Sequence, residues 1–81
     1  MRLDKFLKVS RIIKRRTVAK EACDQERVSV NDLIAKASDK VAVGDRISIE
    51  FGHRIHSYEV RDVKEYVKKD EAKEMYVILG E

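Results

Sequence analysis

A chain of 81 residues is expected to form one domain with a thin core, because a chain this short buries only about 60% of the surface that its unfolded form exposes. With 41% charged residues, two phenylalanines, three tyrosines and no tryptophan, it has little material for a deep substrate pocket and more for a surface that grips something large. The charge is unevenly divided: residues 1–20 carry eight Lys/Arg against one acid, a net +7, and residues 21–81 carry ten against fourteen, a net −4. Clustered cations on a chain with an acidic remainder point to a polyanion partner, since they release condensed counterions from phosphates while the remainder limits indiscriminate sticking.

The first predicted element is a helix over Leu3 to Val9. Leu3, Phe6 and Leu7 share a face at i, i+3, i+4, and Asp4 lies in the first turn, where a carboxylate favours the helix dipole. Ser10 to Lys14 reads as a joint. From Arg16, Ala19, Ala22 and Cys23 again share a face, giving a second helix that ends near Gln25, with small residues that let the pair pack closely. Val28 and Val30 alternate along a short strand, and Asn31-Asp32 supplies a two-residue turn into a second strand, Leu33 to Ala37. Gly44-Asp45 marks a turn before the alternating strand of Ile47, Ile49 and Phe51. Gly52-His53 turns the chain into another strand, where Tyr58 and Val60 are the buried positions and Ile55, out of phase, predicts a bulge near Ser57 or an imperfect edge. In the tail, Ala72, Met75, Tyr76 and Leu79 fit helical spacing with Asp70 as N-cap and Gly80 beyond the end; Met75 to Leu79 also fits a strand, and the helix is the preferred reading. The organisation is α+β, with a helix pair over 1–26, strands over 27–62 and a C-terminal extension over 63–81.

Catalysis finds no constellation among Ser10, Cys23, His53, His56 and the scattered carboxylates. A lone cysteine allows neither an intrachain disulfide nor a cysteine-based zinc site, and Cys23 reads as a buried apolar residue. The two histidines flank a turn without a third ligand, and the glycines lack a following Gly-Lys-Ser/Thr, so neither a metal nor a nucleotide cofactor is expected. No stretch is apolar and long enough to span a bilayer or to serve as a leader, which makes a cytoplasmic protein the expectation.

The basic stretch offers more. Arg2, Lys5, Lys8 and Arg11 leave Leu3, Phe6 and Leu7 free to pack, so a folded helix pair presents its cations outward. Lys14, Arg15 and Arg16 open the second helix, where main-chain N–H groups and the dipole also favour an anion, and Lys20 lies one turn on. These eight residues are the candidate set for binding a phosphate-bearing polyanion. A cation at a helix N-terminus is unfavourable for the helix itself, so Arg16 reads as serving binding and not folding. The competing readings are a solubilising surface and a basic membrane-binding helix, the latter disfavoured by the helix's shortness.

Arg2-Leu3-Asp4-Lys5-Phe6-Leu7, Lys14-Arg15-Arg16, Ala19, Val28-Ser29-Val30-Asn31 and Val43-Gly44-Asp45, in that order, resemble the alpha-L RNA-binding domain of the kind found in ribosomal protein S-four. The likeness runs from Arg2 to about Phe51. It implies two helices packed on a small, mostly antiparallel sheet, with the helices meeting ribosomal or transfer RNA through Arg2, Lys5 and Arg16 above all. Two positions depart from the family's frequent glycines, Glu26 at the exit of helix two and Asp32 in the hairpin turn. Almost nothing remains outside the domain to hold the catalytic units that many relatives carry, so no enzyme is expected. By its length, its start and its Lys68-Lys69-Asp70-Glu71-Ala72 to Met75-Tyr76 tail, the chain is similar to stand-alone members that act on large ribosomal subunits blocked by a nascent chain still attached to tRNA. The partners so implied are large-subunit ribosomal RNA, P-site tRNA and the obstructed subunit itself, together with other quality-control factors, for a monomeric protein. A general ribosome-assembly or subunit-recycling protein with the same RNA face, and a protein-interaction module using the acidic sheet, stay open as alternatives.

Overall fold

The computed structural model describes residues 1–80. Two helices, α1 (Leu3–Val9) and α2 (Arg16–Asp24), are followed by strands β1 (Val28–Val30), β2 (Leu33–Ile34), β3 (Arg46–Phe51) and β4 (Arg54–Val60), then by a 3₁₀ helix (Lys69–Met75) and a last strand, β5 (Tyr76–Gly80). The strands form one antiparallel sheet in the order β2-β1-β3-β4-β5. The fold is therefore α+β, with the helix pair leading the sheet. Leu3, Phe6 and Leu7 of α1 and Ala19, Ala22 and Cys23 of α2 are buried against Val28, Ile47, Ile49, Tyr58 and Val60, so the expected helical faces build the core together with the alternating strands, except that Phe51, at the end of β3 beside the Gly52-His53 turn, is exposed.

Local chemistry explains most element ends. Asn31 and Asp32 both have positive φ (52° and 70°), the requirement of a type I′ turn, and Val30 pairs directly with Leu33. Asn31 is locked there, because its Nδ2 donates to Asp45 Oδ1 at 3.1 Å and its Oδ1 accepts from Arg46 N at 3.0 Å. Asp32, standing where a glycine is frequent, ion-pairs with Arg46. The left-handed exit of α2 falls on Glu26 (φ 60°), and the Schellman pair is complete: Arg27 N donates to Ala22 O at 3.0 Å and Glu26 N to Cys23 O at 2.9 Å. An exposed glutamate thus holds a conformation that glycine adopts without cost.

The tail departs from the helical reading. Lys68, not Asp70, precedes a 3₁₀ helix that ends at Met75, and Gly80 is the last residue of β5 and not a helix stop. Ala72 and Met75, three apart, are both buried, and a 3₁₀ turn satisfies that spacing as well as an α-helix does. Beyond Met75 the free edge of β4 decides the outcome. Tyr76, Val77 and Ile78 pair with Val60, Glu59 and Tyr58, and the Tyr58 and Tyr76 rings meet edge-on at 5.4 Å. Satisfying an otherwise open row of backbone groups outweighs weak helical propensity in residues this β-branched and aromatic. The irregularity expected near Ser57 lies in this pairing, between Ser57 and Tyr58, whereas β3 and β4 pair without interruption. Ile55 faces outward and is exposed.

The second correction is to β2, which stops at Ile34 instead of reaching Ala37. Ala35 and Ala37 are buried in irregular chain whose carbonyls serve α1: Asp4 N donates to Ala37 O at 3.1 Å and Leu3 N to Asp39 O at 2.7 Å. Those first-turn N–H groups have no partner within the helix, so the segment after β2 leaves the sheet to cap it.

Candidate RNA-binding face

Both helices begin on the same side of the molecule, and a buried carboxylate joins their ends. Asp4 is only 3% exposed through its side chain. Its Oδ1 accepts from Arg2 Nε at 3.2 Å and from Arg16 Nη2 at 3.3 Å, its Oδ2 accepts from Arg2 Nη2 at 3.3 Å, and the Lys5 N–H donates to Oδ1 at 2.8 Å. Burial alone raises the pKa of Asp4, but the hydrogen bonds from Arg16, Arg2 and the Lys5 N–H outweigh it, and the carboxyl is held below its ordinary value. The arrangement fixes two guanidiniums side by side with nearly half of each side chain open to solvent, 44% for Arg2 and 46% for Arg16. Each keeps N–H donors pointing away from Asp4, so the pair can take a phosphate by parallel hydrogen bonds. No side chain caps the start of α2 at Arg15, which leaves that anion-favouring corner open beside Arg16.

Sequence reasoning placed Asp4 only in the dipole and missed its buried bridging role, because the partner Arg16 is twelve residues away. The same contact corrects the reading of Arg16 as a residue without a folding role: it contributes to both, since it satisfies a buried acid.

The other predicted cations divide. Lys5 ion-pairs with Glu65 at 3.0 Å and Lys20 with Asp24, four residues along α2, at 3.2 Å; both are partly committed within the molecule. Lys8, Arg11, Lys14 and Arg15 are exposed. Arg11 sits in left-handed backbone (φ 64°) just past α1, and Ile13, buried and hydrogen-bonded through its N–H to Leu7 O at 3.1 Å, pins the joint so that Arg11 and Lys14 face outward. Two lysines that the sequence did not single out extend the face. Lys36 lines a depression with Arg2 and Lys20, and Lys40 is bridged through its backbone to Arg2. Their signal was invisible locally, because each is an isolated lysine in the acidic remainder of the chain.

Cys23 is buried against the sheet side of α2, and burial, followed by the nearby Asp4, pushes its thiol up to about 11. His56 meets Phe51 edge-on at 5.2 Å, and His53 is an exposed turn residue. Among the described residues no three His, Cys, Asp or Glu side chains gather in a way that could hold a metal ion, and no helix is long and apolar enough to cross a membrane.

A helix pair at the N-terminus of a small antiparallel sheet, with basic residues on its open side, defines an S4 domain, and the S4 domain family model matches residues 1–47. The chain belongs to that family. Over its whole length it is similar to proteins called RQC P-site tRNA stabilizing factor: 54% identical to the one from Bacillus subtilis, covering 94% of that protein, and 51% identical to the one from Streptococcus pneumoniae, covering 92%. Among solved structures, Vibrio cholerae Heat Shock Protein 15, described as trimeric, superposes with a TM-score of 0.87 at 28% identity, over 96% of this chain and 80% of that one. The solution structure of the protein HP1423 superposes with a TM-score of 0.83 at 30% identity, over 100% and 99%.

Proposed function

We propose that this chain is a non-enzymatic RNA-binding factor of ribosome-associated quality control. It holds P-site peptidyl-tRNA on a large ribosomal subunit obstructed by its nascent chain while that chain is extended without a template. The observation that carries the reading is the anchored guanidinium pair of Arg2 and Arg16 on Asp4, open to solvent among further cations, in a chain about half identical over its full length to the P-site tRNA stabilizing factors. The partners are large-subunit ribosomal RNA and P-site tRNA, met by a monomer in the cytoplasm, and the contacting set is Arg2, Lys5, Lys8, Arg11, Lys14, Arg15, Arg16 and Lys20. Fixed guanidiniums and lysines recognise backbone and shape more than base sequence. With about five phosphates neutralised, log affinity against log salt has a slope of roughly −3.5 to −4.5.

The test is sedimentation of the parent protein and of Arg16→Ala through sucrose gradients of lysate. The parent is expected to comigrate with large subunits carrying nascent chains, and Arg16→Ala to stay near the top. Comigration with assembly precursors instead moves the chain to a general assembly role. Capture of protein partners that survives nuclease treatment, without subunit association, replaces the RNA reading altogether.

A further inference from the structure

The segment between β4 and the 3₁₀ helix touches the face described so far through the Lys5–Glu65 pair, and it completes a second concavity beside that face. Lys8, Arg11 and Lys14 form one wall of a notch of about 360 Å³, and residues 65–69 form the other. From that second wall Lys68 and Lys69 add two more cations, and the ring of Tyr66 stands 85% exposed at its rim.

Three observations set this notch apart from ordinary solvated surface. First, among the described residues none of the five cations is ion-paired, so their mutual repulsion persists until an anion enters. The one acid in the lining, Glu65, is already held by Lys5 at 3.0 Å, a contact that also lowers its pKa. Second, Tyr66 is not displayed on a loose loop. Glu65 before it is tied to α1 through Lys5, and Val67 after it is buried in the core, so the backbone is gripped on both sides while the ring is left out. Third, the left-handed turn at Arg11 (φ 64°), which ends α1 with Arg11 N donating to Lys8 O at 3.1 Å, directs the chain so that Ile13 is buried while the Arg11 side chain is left exposed at the notch.

A flat ring displayed at the edge of a cationic notch has the chemistry of a nucleotide site: phosphates are taken by ammonium and guanidinium groups while the base stacks on the aromatic face. The notch lies at the lower end of the size range of small-ligand sites, which suits a single nucleotide and not a helix. We infer that Tyr66 and the cations around it hold one unpaired nucleotide of the RNA bound by the helix pair. The inference rests on the proposed RNA-binding function and adds to it a preference for RNA with an extruded or looped-out base. Phosphate contacts alone do not confer that preference.

The experiment uses the full chain and two RNA hairpins with the same stem, one carrying a single bulged 2-aminopurine and one without the bulge, each titrated by anisotropy, with 2-aminopurine fluorescence followed in the first. The parent is expected to bind the bulged hairpin more tightly by about 5- to 150-fold, the range of one stacked base, and to quench its fluorescence. Tyr66→Ala is expected to bind both hairpins alike with the quench lost, Tyr66→Phe to keep both effects, and the paired substitution Lys68→Ala with Lys69→Ala to weaken both hairpins while leaving the quench. Because Tyr66 is so exposed, Tyr66→Ala is expected to melt with the parent. The notch proposal is overturned if the parent binds both hairpins equally or if Tyr66→Ala keeps the preference, even where binding depends on Arg16. If the parent binds neither hairpin, the RNA-binding reading falls with it.

Discussion

The Arg16 guanidinium donates to Oδ1 of Asp4 at 3.3 Å, linking the first turn of α2 to the first turn of α1. One carboxylate thereby sets the spacing of two half-exposed guanidiniums of the basic face, Arg2 and Arg16, and does so from a buried position. Binding and folding are coupled at this point, which gives the substitutions there distinct signatures.

Arg16→Ala is expected to abolish or strongly weaken RNA binding and also to lower stability by about 1 kcal/mol, because Asp4 keeps Arg2 and the Lys5 N–H but loses one of its donors. Half-exposure of the arginine keeps the loss at the small end. Arg16→Lys is expected to recover only part of the binding, since an ammonium keeps the charge but lacks the planar fork. Thermal melts run beside binding titrations separate the two effects; a variant that binds poorly only above its own melting transition contradicts the assigned role.

Asp4→Asn removes a negative charge beneath a cationic face. Simple electrostatics predicts tighter RNA binding; positioning of the guanidiniums predicts weaker binding, and the weaker outcome is expected. The substitution also changes the acid limb of stability. A carboxyl whose pKa is lowered in the fold adds stability above its unfolded value of about 3.8, and that stability is lost as pH falls through the lower folded value. Melting temperature recorded from pH 6 down to pH 2 is therefore expected to drop less steeply below about pH 4 for Asp4→Asn than for the parent. Identical acid limbs would remove Asp4 from this account.

Glu26→Gly is expected to stabilise the protein by about 1 kcal/mol, a rise in melting temperature of roughly 4–8 °C for a domain of this size. The residue holds φ 60° at the end of a complete Schellman motif, so glycine relieves the backbone without disturbing a contact. RNA affinity should be unchanged. A fall in melting temperature would mean that the glutamate side chain contributes something beyond its backbone conformation.

Cys23 is buried in the interface between α2 and the sheet with its thiol pushed up to about 11, so the reactive thiolate is scarce at neutral pH. Alkylation by iodoacetamide at pH 7.5 is expected to be slow in the native protein and rapid in denaturant. Cys23→Ala should cost about 1 kcal/mol or less of stability and leave RNA affinity intact. Fast native alkylation, or lost binding in the folded variant, would show a functional thiol.

Much was determined by local sequence. The i, i+3, i+4 spacing of Leu3, Phe6 and Leu7, the small face of Ala19, Ala22 and Cys23, and the alternation around Ile47 and Ile49 each place side chains on one face by backbone period alone. Asn31-Asp32 likewise specifies its turn through the left-handed tolerance of those two residues. The basic character of the first 20 residues is also a property of the sequence, whatever the fold. Tertiary structure decided what depends on a distant partner. Tyr76 to Gly80 became a strand because β4 offered an open edge, the chain from Lys36 to Asp39 left the sheet to satisfy the start of α1, and Asp4 became a bridge because the fold carried Arg16 to it. Lys68 and Lys69 joined Lys8, Arg11 and Lys14 around one notch through the same long-range packing. Periodicity is written in neighbouring residues, whereas hydrogen-bond satisfaction and charge clustering are settled only when segments far apart in the chain are brought into contact.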